Sequence, residues 1–149
     1  MVTFKKITAE NYWDIVSLDV KPEQNGLVAS NSVSIGQAYA QPELVPMAIY
    51  AGDTPVGFLM YCVDRDDGEY WLYRLMIDRR YQGKGYAKDA LRQLIGKLKK
   101  DTTRRKVLLG VEKRGAAAVK LYESCGFRFT GQVFGKEHVM CLDFEADPE

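Results

Sequence analysis

The distribution of hydrophobic and polar positions along the chain predicts strands that alternate with helices. The clearest strand is Tyr70 to Ile77, where an almost unbroken apolar run indicates burial on both faces. The clearest helix begins after Gly85, because apolar residues recur three and four positions apart as far as Leu98. Since another apolar run follows this helix, the pattern predicts a parallel pair of strands within a mixed sheet.

The same reasoning assigns the remaining elements. Further strands are predicted at Val2 to Ile7, Leu44 to Ala51, Val56 to Val63, Lys106 to Val111, Phe127 to Phe134 and Glu137 to Phe144. Further helices are predicted at Thr8 to Val20, Ser32 to Ala40 and Ala116 to Ser124. No repeat or linker divides the sequence, so residues 1–149 are expected to form a single domain.

The charge and hydropathy of the chain exclude several classes of partner. Its 21 Lys and Arg nearly balance its 20 Asp and Glu, which gives a formal net charge of +1. Binding to nucleic acid or to an anionic membrane is therefore not expected. No apolar run approaches the roughly 20 residues that span a bilayer, and the first residues lack the pattern of a secretory signal. We expect a cytoplasmic protein.

The cysteines and the histidine do not form a recognisable metal site. Cys62, Cys125 and Cys141 are an odd set without a C-x-x-C pair and are expected to be small core residues. His138 is the single histidine and lies in a strand pattern. Neither a disulfide framework nor a bound metal is therefore expected.

The segment between the central strand and the clearest helix has the composition of an anion-binding loop. It reads Ile77-Asp-Arg-Arg-Tyr-Gln-Gly-Lys-Gly-Tyr-Ala87. Glycines let the backbone approach a phosphate, and the free N–H groups of the first helical turn donate to it. The segment matches neither the P-loop nor the dinucleotide-binding pattern. An ordinary turn that begins a helix is the alternative interpretation.

Two motifs resemble those of the GNAT acetyltransferases. Arg80 to Gly85 resembles the family's Arg/Gln-x-x-Gly-x-Gly/Ala motif, and Ala118 to Phe127 resembles its Ala-x-x-Leu-Tyr-x-x-x-Gly-Phe signature. The resemblance extends to the bacterial spermine/spermidine acetyltransferases, which share the Tyr-Gln-Gly-Lys-Gly form. It implies an α/β (α+β) fold with a mixed, mostly antiparallel sheet of about six to seven strands and about four flanking helices, with the parallel pair in the middle.

The resemblance also implies a site for acetyl-CoA. Leu75, Met76 and Ile77 would offer backbone groups to the pantetheine arm and the thioester. The pyrophosphate would be surrounded by Gln82, Gly83, Lys84, Gly85, Tyr86 and Ala87. Gly115 stands where the family often has Asn, so one contact with the pantetheine is lost.

Catalytic roles follow from the same resemblance. Tyr122 matches the tyrosine near the coenzyme sulfur and would be the general acid, with a packed helix aromatic as the alternative. The backbone N–H of Met76 would stabilise the oxyanion. Where many relatives have a carboxylate base on the central strand, this chain has Tyr73 and Arg74, which leaves Glu69 as the base candidate. Direct attack by a neutral amine predicts activity that rises toward alkaline pH.

The resemblance favours a small cationic amine, above all a polyamine, as the acceptor. Carboxylates that would attract its ammonium groups are Asp64, Asp66, Asp67, Glu69, Glu23 and Glu43. An acidic turn is equally typical of a solvated surface. Aromatic residues that would line an amine channel are Tyr12, Trp13, Tyr39, Trp71 and Tyr73.

Other functions remain open at this point. The same scaffold serves to acetylate a protein N-terminus, a lysine or an aminoglycoside, and a non-catalytic acyl-CoA-binding sensor is a further alternative. The sequence does not fix the oligomeric state, and a homodimer is one of the alternatives.

Overall fold

The computed structural model of the chain describes residues 1–145. The strands are β1 (Val2–Lys5), β2 (Leu44–Ala51), β3 (Thr54–Val63), β4 (Tyr70–Ile77), β5 (Lys106–Glu112), β6 (Arg128–Phe134) and β7 (Glu137–Asp143). The α-helices are α1 (Tyr12–Val16), α2 (Asn31–Ala40), α3 (Tyr86–Leu98) and α4 (Ala116–Ser124). Two short 3₁₀ turns lie at Pro22–Gln24 and Arg79–Tyr81.

The strands form one seven-stranded sheet in the order β1-β2-β3-β4-β5-β7-β6. Every neighbouring pair is antiparallel except β4 and β5, which are parallel. The predicted mixed, mostly antiparallel sheet with a central parallel pair and four helices is therefore confirmed. Within residues 1–145, no helix combines the length and apolarity needed to cross a bilayer.

The parallel pair is short and then opens. Its partners run from Tyr70 and Val107 to Leu72 and Leu109, and no pairing continues beyond them. The register between β3 and β4 shifts at the same level, which leaves Tyr73 as an extra residue. Because a bulge bends the strand that carries it, β4 diverges from β5. We call the opening between residues 73–77 of β4 and 110–112 of β5 the wedge.

Two apolar cores cover the two faces of the sheet. On one face, Leu59, Leu72 and Leu109 pack with the buried side of α3 and with α4. On the other face, Phe58 and Met76 pack with α1 and α2. The wedge thus opens between two packed apolar layers.

The largest departure from the predicted elements is the first helix. It was expected over Thr8 to Val20 but is confined to Tyr12–Val16. At its end, the Ser17 hydroxyl donates to the carbonyl of Trp13 at 2.6 Å, a bond that weakens a helix slightly. The chain then turns because the N–H of Asp19 donates to the carboxylate of Asp78 at 2.9 Å. A contact this distant in the sequence is invisible to helical periodicity.

Candidate active site

The edge of β4 that faces the wedge carries unpaired backbone groups. The N–H of Asp78 donates to the carbonyl of Val56 in β3 at 2.8 Å. Backbone N–H directions alternate along a strand. The N–H of Met76 therefore also points toward β3, whereas the N–H groups of Leu75 and Ile77 point into the wedge. The predicted oxyanion donor, the N–H of Met76, is thus directed at β3, and the N–H of Leu75 is the neighbouring group that points into the wedge.

The loop that follows β4 presents an open set of backbone donors. Gly83 and Gly85 have φ values of +80° and +84°, in the left-handed region that favours glycine. No protein atom lies within 4 Å of a Cβ built on either residue. Gly85 begins α3 without a side-chain cap, so the N–H groups of Tyr86 and Ala87 have no capping partner. These donors and Lys84 lie where an anion was predicted.

We expect Gly85→Ala to weaken binding of the nucleotide thiol more than it weakens the fold. A left-handed Ala costs about 1–2 kcal/mol, and the added methyl group enters the space in front of the donors. We predict a roughly tenfold increase in the KM for acetyl-CoA, which corresponds to about 1.4 kcal/mol.

The matched control for this change is Gly96→Ala in the same helix, where nothing lies within 4 Å of the built Cβ. It should leave the KM unchanged and stabilise the protein by about 0.5–1 kcal/mol. Steady-state kinetics and thermal unfolding of both variants decide the matter. An unchanged KM in Gly85→Ala would remove this loop from the binding site.

A loop from α1 to α2, residues 19–29, bridges the two sides of the wedge, and we call it the covering loop. Gln24 and Gln82 exchange side-chain amide hydrogen bonds of 2.9 and 3.2 Å. On the other side, Leu27 lies 3.5 Å from a Cβ built on Gly115. The side chain of Gln82 also donates to the carbonyl of Ile77 at 2.9 Å. The side chain of Gln82 therefore holds the covering loop. The backbone N–H of Gln82 is not used in these contacts and can donate to a phosphate.

A cavity of about 290 Å³ lies between the covering loop and the α1–α2 face of β4. Met76 and Asn31 line it, and the amide of Asn31 donates to the sulfur of Met76 at 3.7 Å. The cavity is therefore next to the edge of β4 where the thioester is predicted.

Asp78 anchors the covering loop to the end of β4. Its carboxylate accepts hydrogen bonds from the N–H of Asp19 at 2.9 Å and from the N–H and Nε of Arg80 at 3.0 and 2.8 Å. Burial by itself raises the pKa of this carboxyl, but these hydrogen bonds outweigh it and the pKa is lowered overall. Asp78 is thus a buried, ionised group that sets the geometry of the loop.

Tyr122 lies on α4 with its ring in the core and its hydroxyl free. Its ring is in edge contact with Phe127, with centroids 5.7 Å apart. Among residues 1–145 its hydroxyl has no hydrogen-bond partner. Burial raises the pKa of this phenol, and the charge of Glu137 raises it further. A phenol that stays protonated fits the predicted general acid, which remains a prediction.

Gly115 begins α4 at a point where the backbone is crowded. A Cβ built there would lie 3.2 Å from the carbonyl of Glu112, and the N–H of Gly115 donates to that same oxygen at 2.9 Å. Glycine at position 115, where the family often has Asn, therefore fits a tight turn between β5 and α4.

Glu69 is not brought together with the other predicted catalytic residues. It precedes β4, six residues before Leu75, a separation of roughly 20 Å along a strand that rises about 3.3 Å per residue. Its carboxylate pairs with Lys106 at 3.4 Å. This separation does not favour Glu69 as the base.

The predicted acceptor residues separate into two groups. Asp64 accepts a hydrogen bond of 3.5 Å from the hydroxyl of Tyr73. Asp67 accepts one of 2.9 Å from the indole N–H of Trp71. The pKa of the neighbouring Cys62 thiol is raised to about 11. Burial is the largest cause, and the negative charges of Asp64, Glu43 and Asp67 raise the pKa further. By contrast, Trp13 and Tyr39 are exposed on the outer helices.

Two structurally important residues had no assigned role in the sequence, namely Asp78 and Gln24. A signal for Asp78 exists, because a carboxylate that directly follows a buried strand and precedes a glycine loop is well placed to bind backbone N–H groups. Gln24 has none, since its partner lies 58 positions away.

The chain is similar to known acetyltransferases in sequence and in structure. The model of the Acetyltransferase (GNAT) family matches residues 24–127. The spermine/spermidine N(1)-acetyltransferase of Bacillus subtilis strain 168 is 32% identical over 146 residues, which cover 93% of this chain and 96% of that protein.

Solved structures extend the similarity to the fold. The spermidine N-acetyltransferase of Vibrio cholerae, in complex with CoA and spermine, superposes with a TM-score of 0.73 at 16% identity and covers 95% of both chains. The aminoglycoside acetyltransferase AAC(6')-Ib, in complex with coenzyme A, reaches a TM-score of 0.79 at 18% identity over 96% of this chain and 95% of that chain. At these identities the structural matches support the fold alone.

Proposed function

The chain belongs to the acetyltransferase (GNAT) family, and from this premise we propose that it transfers the acetyl group of acetyl-CoA to a primary amine of spermidine or spermine. The observation that carries the proposal is the unpaired edge of β4 beside the uncapped start of α3. An extended arm that ends in a pyrophosphate fits that combination. When bound, acetyl-CoA supplies the acyl group as an activated thioester.

Each residue has a distinct task under this proposal. The backbone N–H groups from Gly83 to Ala87 bind the pyrophosphate, and Lys84 adds a positive charge. Leu75 offers its backbone groups and Ile77 its N–H to the pantetheine arm, because the carbonyl of Ile77 already accepts from Gln82. The N–H of Leu75 donates to the thioester oxygen as negative charge develops there. The Tyr122 hydroxyl protonates the departing sulfur.

The choice of a polyamine is supported by sequence similarity and by the charges on the α1–α2 face. The relative from Bacillus subtilis acts on spermine and spermidine according to its name. On this chain, Asp64 and Asp67 lie beside two aromatic rings, an arrangement that suits a second ammonium group. We also propose that the enzyme acts in the cytoplasm on small molecules, because its net charge of +1 offers no general attraction for nucleic acids or anionic membranes.

The test measures thiol release at saturating acetyl-CoA with spermidine, spermine, a lysine peptide, a free N-terminal peptide and an aminoglycoside. We expect the polyamines to have the highest kcat/KM. Turnover confined to peptides or to aminoglycosides would reassign the acceptor. Binding of acetyl-CoA without turnover of any amine would indicate a sensor instead of an enzyme.

A matched pair of variants tests the second ammonium group. Asp67→Asn should raise the KM for spermidine about two- to fivefold, the range of a partly exposed ion pair, and should leave the KM for a monoamine unchanged. Asp53→Asn, in the exposed turn between β2 and β3, is the control and should have no effect. Equal changes for spermidine and the monoamine would show that Asp67 does not bind a distant charge.

A further inference from the structure

A carboxylate that no motif identified lies at the narrow end of the wedge. Gly110 is the first residue of β5 beyond the last parallel pair, Leu72 and Leu109. A Cβ built on Gly110 would lie 2.6 Å from Oε1 of Glu137 and 3.3 Å from its Cβ. Glu137 therefore occupies the space that any side chain at position 110 would fill.

The carboxylate is on the same face of the sheet as the cavity that Met76 and Asn31 line. Val107, Leu109 and Val111 point into the core beneath α3 and α4. Because side chains alternate along a strand, Gly110 and the Glu137 carboxylate lie on the opposite face, which is the face of Met76.

The charged residues near Glu137 make their contacts with other groups, so its carboxylate is left without an ion-pair partner among residues 1–145. Its cross-strand neighbour Glu112 pairs with Arg114 at 3.3 Å. Lys113 lies over the ring of Phe129, 5.0 Å from its centroid. Within residues 1–145, Glu137 has neither a hydrogen bond nor an ion pair through its side chain. Its charge reaches Tyr122, since it contributes to raising the pKa of that phenol.

We propose that Glu137 is the general base of the transfer, which rests on the proposed acetylation of an amine. As the amine nitrogen bonds to the thioester carbon, a proton on that nitrogen becomes acidic and passes to Oε1 of Glu137. The C–S bond then breaks, and the departing sulfur takes the hydroxyl proton of Tyr122. Solvent removes the proton from Glu137 and returns one to Tyr122, so atoms and charges balance.

Three variants test this role. Glu137→Gln keeps the shape and removes the base, and we expect about a hundredfold loss of kcat with an unchanged KM for acetyl-CoA. Gly110→Ala keeps the carboxylate but displaces it, and we expect a comparable loss. Glu123→Gln removes the same charge from the exposed side of α4 and should match the wild type. Thermal unfolding of each variant checks the fold.

Chemical rescue separates a base from a structural group. Added formate should restore part of the turnover of Glu137→Ala, because it supplies a carboxylate to the vacated space beside Gly110. Failure of formate to rescue, wild-type turnover in Glu137→Gln, or wild-type turnover in Gly110→Ala would each overturn the assignment. Turnover of the polyamines by the wild-type enzyme tests the proposed function. The ratio of wild-type to variant kcat, measured with whichever amine the wild type accepts, tests the role of Glu137.

Discussion

Replacing Tyr122 with Phe is expected to lower kcat about 10²–10³-fold, because it removes the hydroxyl that we propose as the proton donor to the departing sulfur. The ring keeps its edge contact with Phe127, so the melting temperature should change little. Burial and the charge of Glu137 raise the pKa of the phenol above its ordinary value of about 10. The hydroxyl therefore stays protonated at neutral pH, and the ratio of wild-type to variant kcat should be constant between about pH 7 and pH 9.

The matched control is Tyr50→Phe, which removes a hydroxyl from a buried tyrosine of β2. It should leave kcat at the wild-type value. A Tyr122→Phe enzyme that retains more than roughly half of the wild-type kcat would assign the residue to packing, since a general acid contributes far more than this.

Replacing Asp78 with Ala is expected to reduce the free energy of unfolding by about 2–4 kcal/mol. Two backbone N–H groups, of Asp19 and Arg80, lose the acceptor of a part-buried hydrogen bond, and each donor left unpaired costs about 1–3 kcal/mol, nearer the lower value where water reaches it. The ion pair itself adds little because the Arg80 side chain is 62% exposed. Since the covering loop is released, the KM for acetyl-CoA should rise as well. Denaturant unfolding and steady-state kinetics measure the two effects.

The contribution of the Asp78 charge depends on pH with a definite sign. The pKa of this carboxyl is lowered in the folded state, although burial alone raises it. The stabilisation is therefore fully present above the unfolded pKa of about 3.9 and is lost as the pH falls through the folded value.

Asp78→Asn should show this sign directly. The difference in free energy of unfolding between the wild type and this variant should be largest above about pH 5 and should shrink in more acidic buffers. Asp53→Asn, in the exposed turn between β2 and β3, is the control and should match the wild type at every pH. A deficit that is independent of pH would mean that the ionised form of Asp78 contributes nothing.

The sequence predicts those parts of the fold and the site that are encoded locally. The Gly83 to Gly85 loop and Tyr122 each belong to a motif of neighbouring residues, and the loop directly follows β4 in the structure. The donor at Leu75 requires the register between β3 and β4, which the extra residue Tyr73 determines. Glu137 meets Gly110 only because β7 pairs with β5. Such contacts depend on strand pairing, and no periodicity in a single sequence records them.

The early end of α1 has the same cause. Helical spacing continues past Val16, but hydrogen bonds to Asp78 and Arg79 direct Asp19 toward the end of β4. Tertiary hydrogen bonds thus override local propensity at the point where the covering loop begins.

The unpaired edge of β4 has a consequence for the stability of the protein. The amide hydrogens of Leu75 and Ile77 have no partner strand, although their side chains pack in the core. Under the proposed binding mode, an extended arm with its own amides pairs with this edge as an additional strand. Because a ligand stabilises only the folded state that binds it, resistance to unfolding and to proteolysis should follow the cellular supply of the acyl donor.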